Sequence, residues 1–242
     1  GQKAYPFNIA QKFNIPLIFY GENGEVEYGG SEKNMNKSHE SPADWEERYY
    51  KGFGIDKMIK EGNKMGIFDD NEIKSNKFDF YRSPPLSKIK KTGIEMHWWS
   101  YYKPWIPQEN FYYIEKNTGF EANEERTLGT YTKYSSIDDE VLDSFHWYMG
   151  YIKFGLGRAT REASSDIRCG HITRNEAVAL VHKYDHEFPA KYLKSFIEYL
   201  DITEELFWKT INKYRSKNIW KKINSKKNKY RKYIRKIHVS NH

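Results

Sequence analysis

An α/β fold followed by a helical C-terminal region is predicted by three features of this 242-residue chain. A short apolar run, Ile15 to Tyr20 (IPLIFY), stops at Gly21, the pattern of a strand buried on both faces of a parallel sheet. From Asp138 onward the apolar residues recur instead with the 3.6-residue period of helices. Aromatic residues make up 17% of the chain, enough for a packed interior and against disorder over most of the length.

In chain order, Ile9, Ala10 and Phe13 share a helical face, and Asn14 closes that segment before Pro16. The strand at Ile15 to Tyr20 has little ahead of it that could pair with it, so its sheet is expected to continue in a segment upstream of Gly1. Ser31 to Pro85 is polar and rich in Gly and Asn, with room for a short helix at Ile55 to Lys60 and a stop at Pro84-Pro85, and reads as an insertion. Gly93 introduces IEMHWWSYYKPW, extended from Ile94 to Tyr102. Pro107 suits a helix N1 position and Gly119 a C′ position, which predicts a helix over Pro107 to Thr118.

Beyond the loop at Gly119 to Ser136, Asp138 is expected to cap a helix whose apolar set is Val141, Leu142, Phe145, Tyr148, Met149 and Ile152. Thr173 and Glu176 form a capping box ahead of Ala177, Val178, Leu180 and Val181. Pro189 opens a stretch with Leu193, Phe196, Ile197 and Leu200, and Thr203 begins a last run through Phe207, Ile211 and Tyr214. The expected segments are 1–30 (α/β), 31–92 (polar insertion), 93–135 (return to the α/β part), 136–215 (helical) and 216–242 (basic tail).

Charge is unevenly placed. The net charge is +7, from 40 basic and 33 acidic residues, yet no acidic residue follows Glu205 while 13 Lys and Arg do. Residues 1–205 therefore carry 27 basic and 33 acidic groups, a field unfavourable to a nucleic acid backbone, and no nucleic acid partner is expected. One cysteine excludes a disulfide framework, and no apolar run reaches the roughly 18 residues of a spanning helix. GQKAYPFNIAQKF has no signal-peptide apolar core, so a cytoplasmic location is expected.

Four stretches hold candidate chemistry. Gly21 to Gly30 (GENGEVEYGG) directly follows the strand, where ligands of open parallel sheets bind. Glu22, Glu25 and Glu27 suit a hard cation such as Mg²⁺ beside a polyphosphate, although a solvated turn would also need these glycines. In GLGRATREASSDIRCGHITR, Arg158, Arg161 and Arg168 fall on roughly one helical face and suit phosphate, and the competing reading pairs surface arginines with Glu162 and Asp166. Cys169 fits a small buried filler better than a nucleophile, and His182 with His186 is a weak metal pair so close to Pro189. Tyr230, Tyr233, Ile234 and Ile237, set among Lys and Arg, have the spacing of a basic amphipathic helix for an anionic membrane surface or RNA, against the alternative of a frayed, solvated terminus.

The blocks IPLIFYGENGEVEYGG, GIEMHWWSYYKPWIPQE, NTGFEANEERTLGTYTKYSSIDD, YIKFGLGRATREASSDIRCGHITRNEAVALV and YDHEFPAKYLKSFIEYLDITEELFW together resemble the N-acetyl sugar amidotransferases of O-antigen, pseudaminic and legionaminic acid synthesis. The resemblance covers about residues 1–220 and leaves the tail outside. It implies a partial PP-loop sheet of the adenine nucleotide α-hydrolase type followed by a helical region. The implied reaction turns an acetamido group into an acetamidino group: ATP adenylates the amide oxygen, and ammonia from a separate glutaminase subunit displaces AMP. It further implies that Gly21, Glu22, Asn23, Glu27, Tyr28, Tyr134 and Arg161 face the nucleotide, with Glu22 and Glu27 on Mg²⁺. Lys133 and Arg158 would stabilise the phosphate or the intermediate.

One departure matters. The family's SGGxDS-type phosphate loop is absent from these 242 residues, and Gly29-Gly30-Ser31 stands in the wrong context to replace it. The chain is therefore expected to be the C-terminal portion of a longer protein, to bind ATP poorly alone, and to need the missing N-terminal PP-loop segment. Two other classes compete: a PP-loop-related RNA-binding or tRNA-modifying protein, and a non-catalytic scaffold that docks a glutaminase.

Overall fold

Helix α1 (Ala4–Phe13) ends as its sequence predicts: Asn14 takes the left-handed conformation (φ 55°) and its backbone N–H returns to Ala10 and Gln11. The computed structural model describes residues 1–23, 34–40, 42–45, 50–135, 137–223, 230 and 232–236, in two units, Gly1–Trp105 and Ile106–His242.

In the first unit β1 (Leu17–Tyr20) runs parallel to β3 (Glu95–Trp98), with Leu17 opposite Glu95 and Tyr20 opposite Trp98. The two-residue β2 (His39–Glu40) lies antiparallel on the other side of β3. The parallel pairing agrees with the sequence, but the expected two-faced burial of β1 does not. Ile18 and Tyr20 pack toward Phe7, Ala10, Trp45, Ile89 and Met96, whereas Leu17 and Phe19 are 42% and 49% exposed. Among the described residues β1 is an edge strand with one covered face, so only alternate side chains reach the core.

The polar stretch before β3 forms α2 (Ile55–Lys64), a turn longer than expected, α3 (Asp70–Lys74), capped reciprocally by Asp69 and Glu72, and α4 (Leu86–Thr92) beyond the proline pair. It also contributes β2 and the buried Trp45 and Ile89. The extended segment expected to reach Tyr102 stops at Trp98, and Trp99–Tyr102 turns helical as α5. There Trp99 and Tyr102 meet Phe19 edge to face at 5.5 and 5.9 Å, contacts that a continued strand would carry away from it.

The second unit begins with α6 (Pro107–Asn117), Pro107 standing at its N-terminus as predicted. Its end differs: Thr118 closes it in extended backbone and its hydroxyl donates to the Ile114 carbonyl at 2.7 Å, so no left-handed glycine is used. Helix α7 (Glu140–Phe154) is capped by Asp139, not Asp138: the Asp139 carboxylate accepts from the N–H groups of Val141 and Leu142. Helices α8 (Arg158–Arg168) and α9 (Arg174–Tyr184) share Ala163, Ala177 and Val181 as a small core. The larger core joins Phe145, Tyr148 and Ile152 of α7 to Leu193 of α10 (Leu193–Tyr199) and to Phe207 and Ile211 of α11 (Glu204–Lys213). Helix α11 starts at its predicted cap, Thr203.

The Thr173–Glu176 box is present in both directions, and its hydrogen bonds hold the Glu176 carboxyl below the ordinary carboxylate value. Thr173→Ala is expected to cost about 1 kcal/mol, read as a lower urea midpoint with an unchanged slope.

Among the described residues the tail follows neither the basic-helix nor the frayed-terminus reading. Trp220–Lys222 (β4) and Tyr233–Arg235 (β5) form an antiparallel hairpin, and Ile237 lies outside the described residues. Trp220 is buried with its indole N–H donating to the Ile152 carbonyl at 2.7 Å, while Tyr230 stacks on Phe188 at 4.3 Å. In the strand Tyr233 and Ile234, neighbours on the helical face that the spacing suggested, fall on opposite faces.

Candidate functional site

The loop after β1 occupies the carboxyl end of a parallel strand, where open α/β sheets receive ligands. Gly21 and Glu22 are exposed there, an added Cβ on Gly21 would meet nothing within 4 Å, and Asn23 turns inward at 6% exposure. Glu25, Glu27 and Tyr28 lie outside the described residues. No group of three His, Cys, Asp or Glu side chains suited to a cation is found among the described residues.

In the second unit, three segments singled out by the sequence meet: 126–135, the start of α8, and the turn after α9. Three carboxylates join them. Glu187 grips Arg126 through both oxygens and accepts the Gly129 N–H at 2.9 Å. Gly129 has φ +80°, so the bend that presents this N–H needs a residue without Cβ. Glu162 accepts from Thr130, from Thr132 at 3.1 Å, from Ser135 at 2.8 Å and from Arg158 Nε at 3.1 Å. Asp185, whose side chain is fully buried, accepts from the Gly157 N–H, from the Thr160 N–H and hydroxyl, and from Arg235 of β5 at 3.1 Å.

Asp185 thus caps α8 from 25 residues away, where Gly157 itself has no side chain to do so. An unpaired buried charge is costly, and here Arg126, Arg158 and Arg235 are matched by Glu187, Glu162 and Asp185. The result is a rigid polar frame. A narrow recess beside it, bordered by Gly129, Trp147, Arg158, Asp185, Glu187 and Pro189, has room for about one water.

The expected phosphate residues divide around this frame. Arg158 is buried and engages Glu162, so the carboxylate-pairing reading holds for it, although the pair is buried rather than on the surface. Asp166 accepts instead from the Tyr131 hydroxyl at 2.5 Å. Arg161 is exposed and its guanidinium lies 5.1 Å from the Trp147 ring centre, with that of Arg158 at 5.4 Å from the same ring. Among the described residues no hydrogen bond or carboxylate holds the Arg161 guanidinium. Arg168 is exposed in the last turn of α8. Lys133 is exposed and its ammonium donates to the Glu124 carbonyl at 2.8 Å. Tyr134 stacks flat on Phe111 at 4.3 Å, and burial, reinforced by the charges of Asp166 and Glu162, pushes its phenol up to about 12. Cys169 is half-exposed, not the buried filler its type suggested.

The sequence points to no role for Asp185, Glu187, Arg126 or Trp147, and to Glu162 only as a partner for arginine. Their only local signal was the density of hydroxyl and charged residues in GTYTKYSS and YDHEF, which names no partners.

Residues 128–236 match the family model described as "LPS biosynthesis protein WbpG-like, C-terminal domain". A search of curated proteins finds no match. The matched stretch opens at Leu128, beside the Glu187-bound turn, and ends at Lys236, directly after β5. It therefore takes in the hairpin, most of which lies beyond the residue, about 220, where the resemblance in the sequence stops. No helix among the described residues is long and apolar enough to cross a membrane. The frame around Asp185 and Glu162, together with the hairpin that closes it, lies within the stretch that matches this WbpG-like C-terminal domain.

Proposed function

We propose that this chain is the C-terminal portion of an ATP-dependent N-acetyl sugar amidotransferase of lipopolysaccharide biosynthesis, which converts a sugar acetamido group to an acetamidino group. One observation carries the reading: GTYTKY, GRAT and YDHEF, blocks of the family resemblance separated by tens of residues, meet at the start of α8, where Glu162 pairs with Arg158, Asp185 binds the Thr160 N–H and Glu187 binds the Gly129 N–H. An amide carbon is a poor electrophile, and ATP would make its oxygen a leaving group as AMP, which ammonia from a glutaminase subunit displaces.

Gly21, Glu22 and Asn23 stand at the strand end suited to a nucleotide, with Glu27 and Tyr28 completing the expected loop. The described residues offer Glu22 but no converging cation set, so no step is assigned to Mg²⁺ in this chain. Arg158, Arg161, Lys133 and Tyr134 are the candidates for steadying developing negative charge. Of these, Arg161 is exposed beside Trp147 with no carboxylate partner among the described residues, which suits it to meet an incoming anion.

The test uses the protein completed with an SGGxDS-bearing segment, a glutaminase, glutamine, Mg-ATP and an N-acetylated sugar. Product in which one acetamido oxygen is replaced by NH, with AMP and pyrophosphate released together, is the expected result. AMP formation without the nitrogen product would reject amidination. Tight Mg-ATP binding to the 242-residue chain by calorimetry would reject the proposed division of the nucleotide site.

A further inference from the structure

The hairpin's two faces differ in chemistry. Trp220, Lys222, Tyr233 and Arg235 occupy one face by register, and three of them point into the unit: Trp220 to Ile152, Arg235 to Gly155 and Asp185, and Tyr233 onto the Arg215 guanidinium. The alternate residues lie on the opposite face. Lys221 pairs with Ile234, and the flanking ladder bonds, Lys236 N–H to the Ile219 carbonyl at 2.8 Å and Ile223 N–H to the Lys232 carbonyl at 2.9 Å, place Ile219 opposite Lys236 and Ile223 opposite Lys232. This face is a checkerboard in which each isoleucine faces a lysine across the ladder. The lysines Lys221, Lys232 and Lys236 are exposed and the isoleucines half-buried. Gly155, set between the exposed Phe154 and Leu156, comes against Ile219.

We propose that this face rests on an anionic phospholipid surface, with the lysines at the headgroups and Ile223 and Ile234 reaching the acyl boundary, while Ile219 at its edge packs against the core of the unit. Charge complementarity identifies the occupant: no acidic residue follows Glu205 in the chain, so nothing in that stretch offsets the lysines. The apolar half of the checkerboard favours a bilayer over a single-stranded nucleic acid, which needs aromatic platforms, and the hairpin's Trp220 and Tyr233 are turned inward. The inference is independent of the catalytic reading and uses none of its residues.

The test is co-sedimentation of the 242-residue chain with vesicles of phosphatidylcholine alone or mixed with phosphatidylglycerol. Binding is expected to the mixed vesicles only, and to weaken with added salt. Lys221→Glu with Lys236→Glu should reduce it about tenfold or more, and Ile234→Ser should reduce it several-fold, both with an unchanged thermal transition. Equal binding to both vesicle types, no binding to either, or undiminished binding by the double charge variant would overturn the proposal. Preferential binding of a single-stranded RNA oligonucleotide, lost in the charge variant while Ile234→Ser has no effect, would overturn it in favour of a nucleic acid.

Discussion

Asp185→Ala is expected to lower the stability of the C-terminal unit by about 3 to 5 kcal/mol. The carboxylate is wholly buried and its two oxygens take every contact at once: two backbone N–H groups at the start of α8, the Thr160 hydroxyl and the Arg235 guanidinium. Alanine leaves Arg235, itself 11% exposed, with the Gly155 carbonyl but no carboxylate, and strands the N–H donors of Gly157 and Thr160. Urea unfolding followed by tryptophan fluorescence measures the loss, and a change below about 1 kcal/mol would remove Asp185 as the tie between α8 and the hairpin. Arg235→Ala should also be destabilising, and the double variant less so than the two singles combined, because the Asp185–Arg235 ion pair is counted in both. Gly157→Ala disturbs the same joint by steric means: its Cβ would stand 2.6 Å from an Asp185 carboxylate oxygen and 2.9 Å from the Asp185 carbonyl oxygen, the latter a backbone atom that cannot swing aside.

The second large effect is on turnover. In the completed enzyme, Arg158→Ala is expected to reduce kcat by tenfold or more, since one preorganised donor to developing charge is worth about that much or better. Arg158 also neutralises Glu162, so a folding loss must be separated from a chemical one. Glu162→Gln serves that purpose, because it weakens the same buried pair and leaves the guanidinium in place. If the two variants lose equal stability but only Arg158→Ala loses kcat, Arg158 acts on the reacting groups. Parallel losses in both would make it a positioning residue. Lys133→Ala and Arg161→Ala complete the series: both side chains are exposed, so a kcat loss in either cannot be assigned to unfolding. Near-normal kinetics in Arg158→Ala and Lys133→Ala together would end the assignment.

Elements whose cause lies within a few residues were legible in the chain. Thr173 with Glu176, Thr203, Asn14 and Pro107 each act on backbone groups no more than four residues away, and each does what its position implied. Asp138 and Asp139 show the limit of such reading: either aspartate could cap α7, and only the geometry selects Asp139. The run at Ile15–Tyr20 declared a strand in a parallel pair but not how many of its faces would be covered, because burial depends on what packs alongside. In the tail, contacts from Trp220 to Ile152 and from Arg235 to Asp185, 68 and 50 residues apart, override the helical spacing of Tyr230, Tyr233 and Ile234 and decide for the strand.

By itself, then, the order of residues determined the α/β beginning, the helical second half, the caps at Asn14, Thr173 and Thr203 and the family resemblance, all of which rest on short-range spacing. Only the tertiary structure decided that Glu187 holds Arg126 across 61 residues, that Glu162 collects the hydroxyls of a distant loop, and that Asp185 caps a helix from outside it. A carboxylate carries no mark of its partner along the chain. Its partner is chosen when the fold removes water from it and leaves one set of donors within reach.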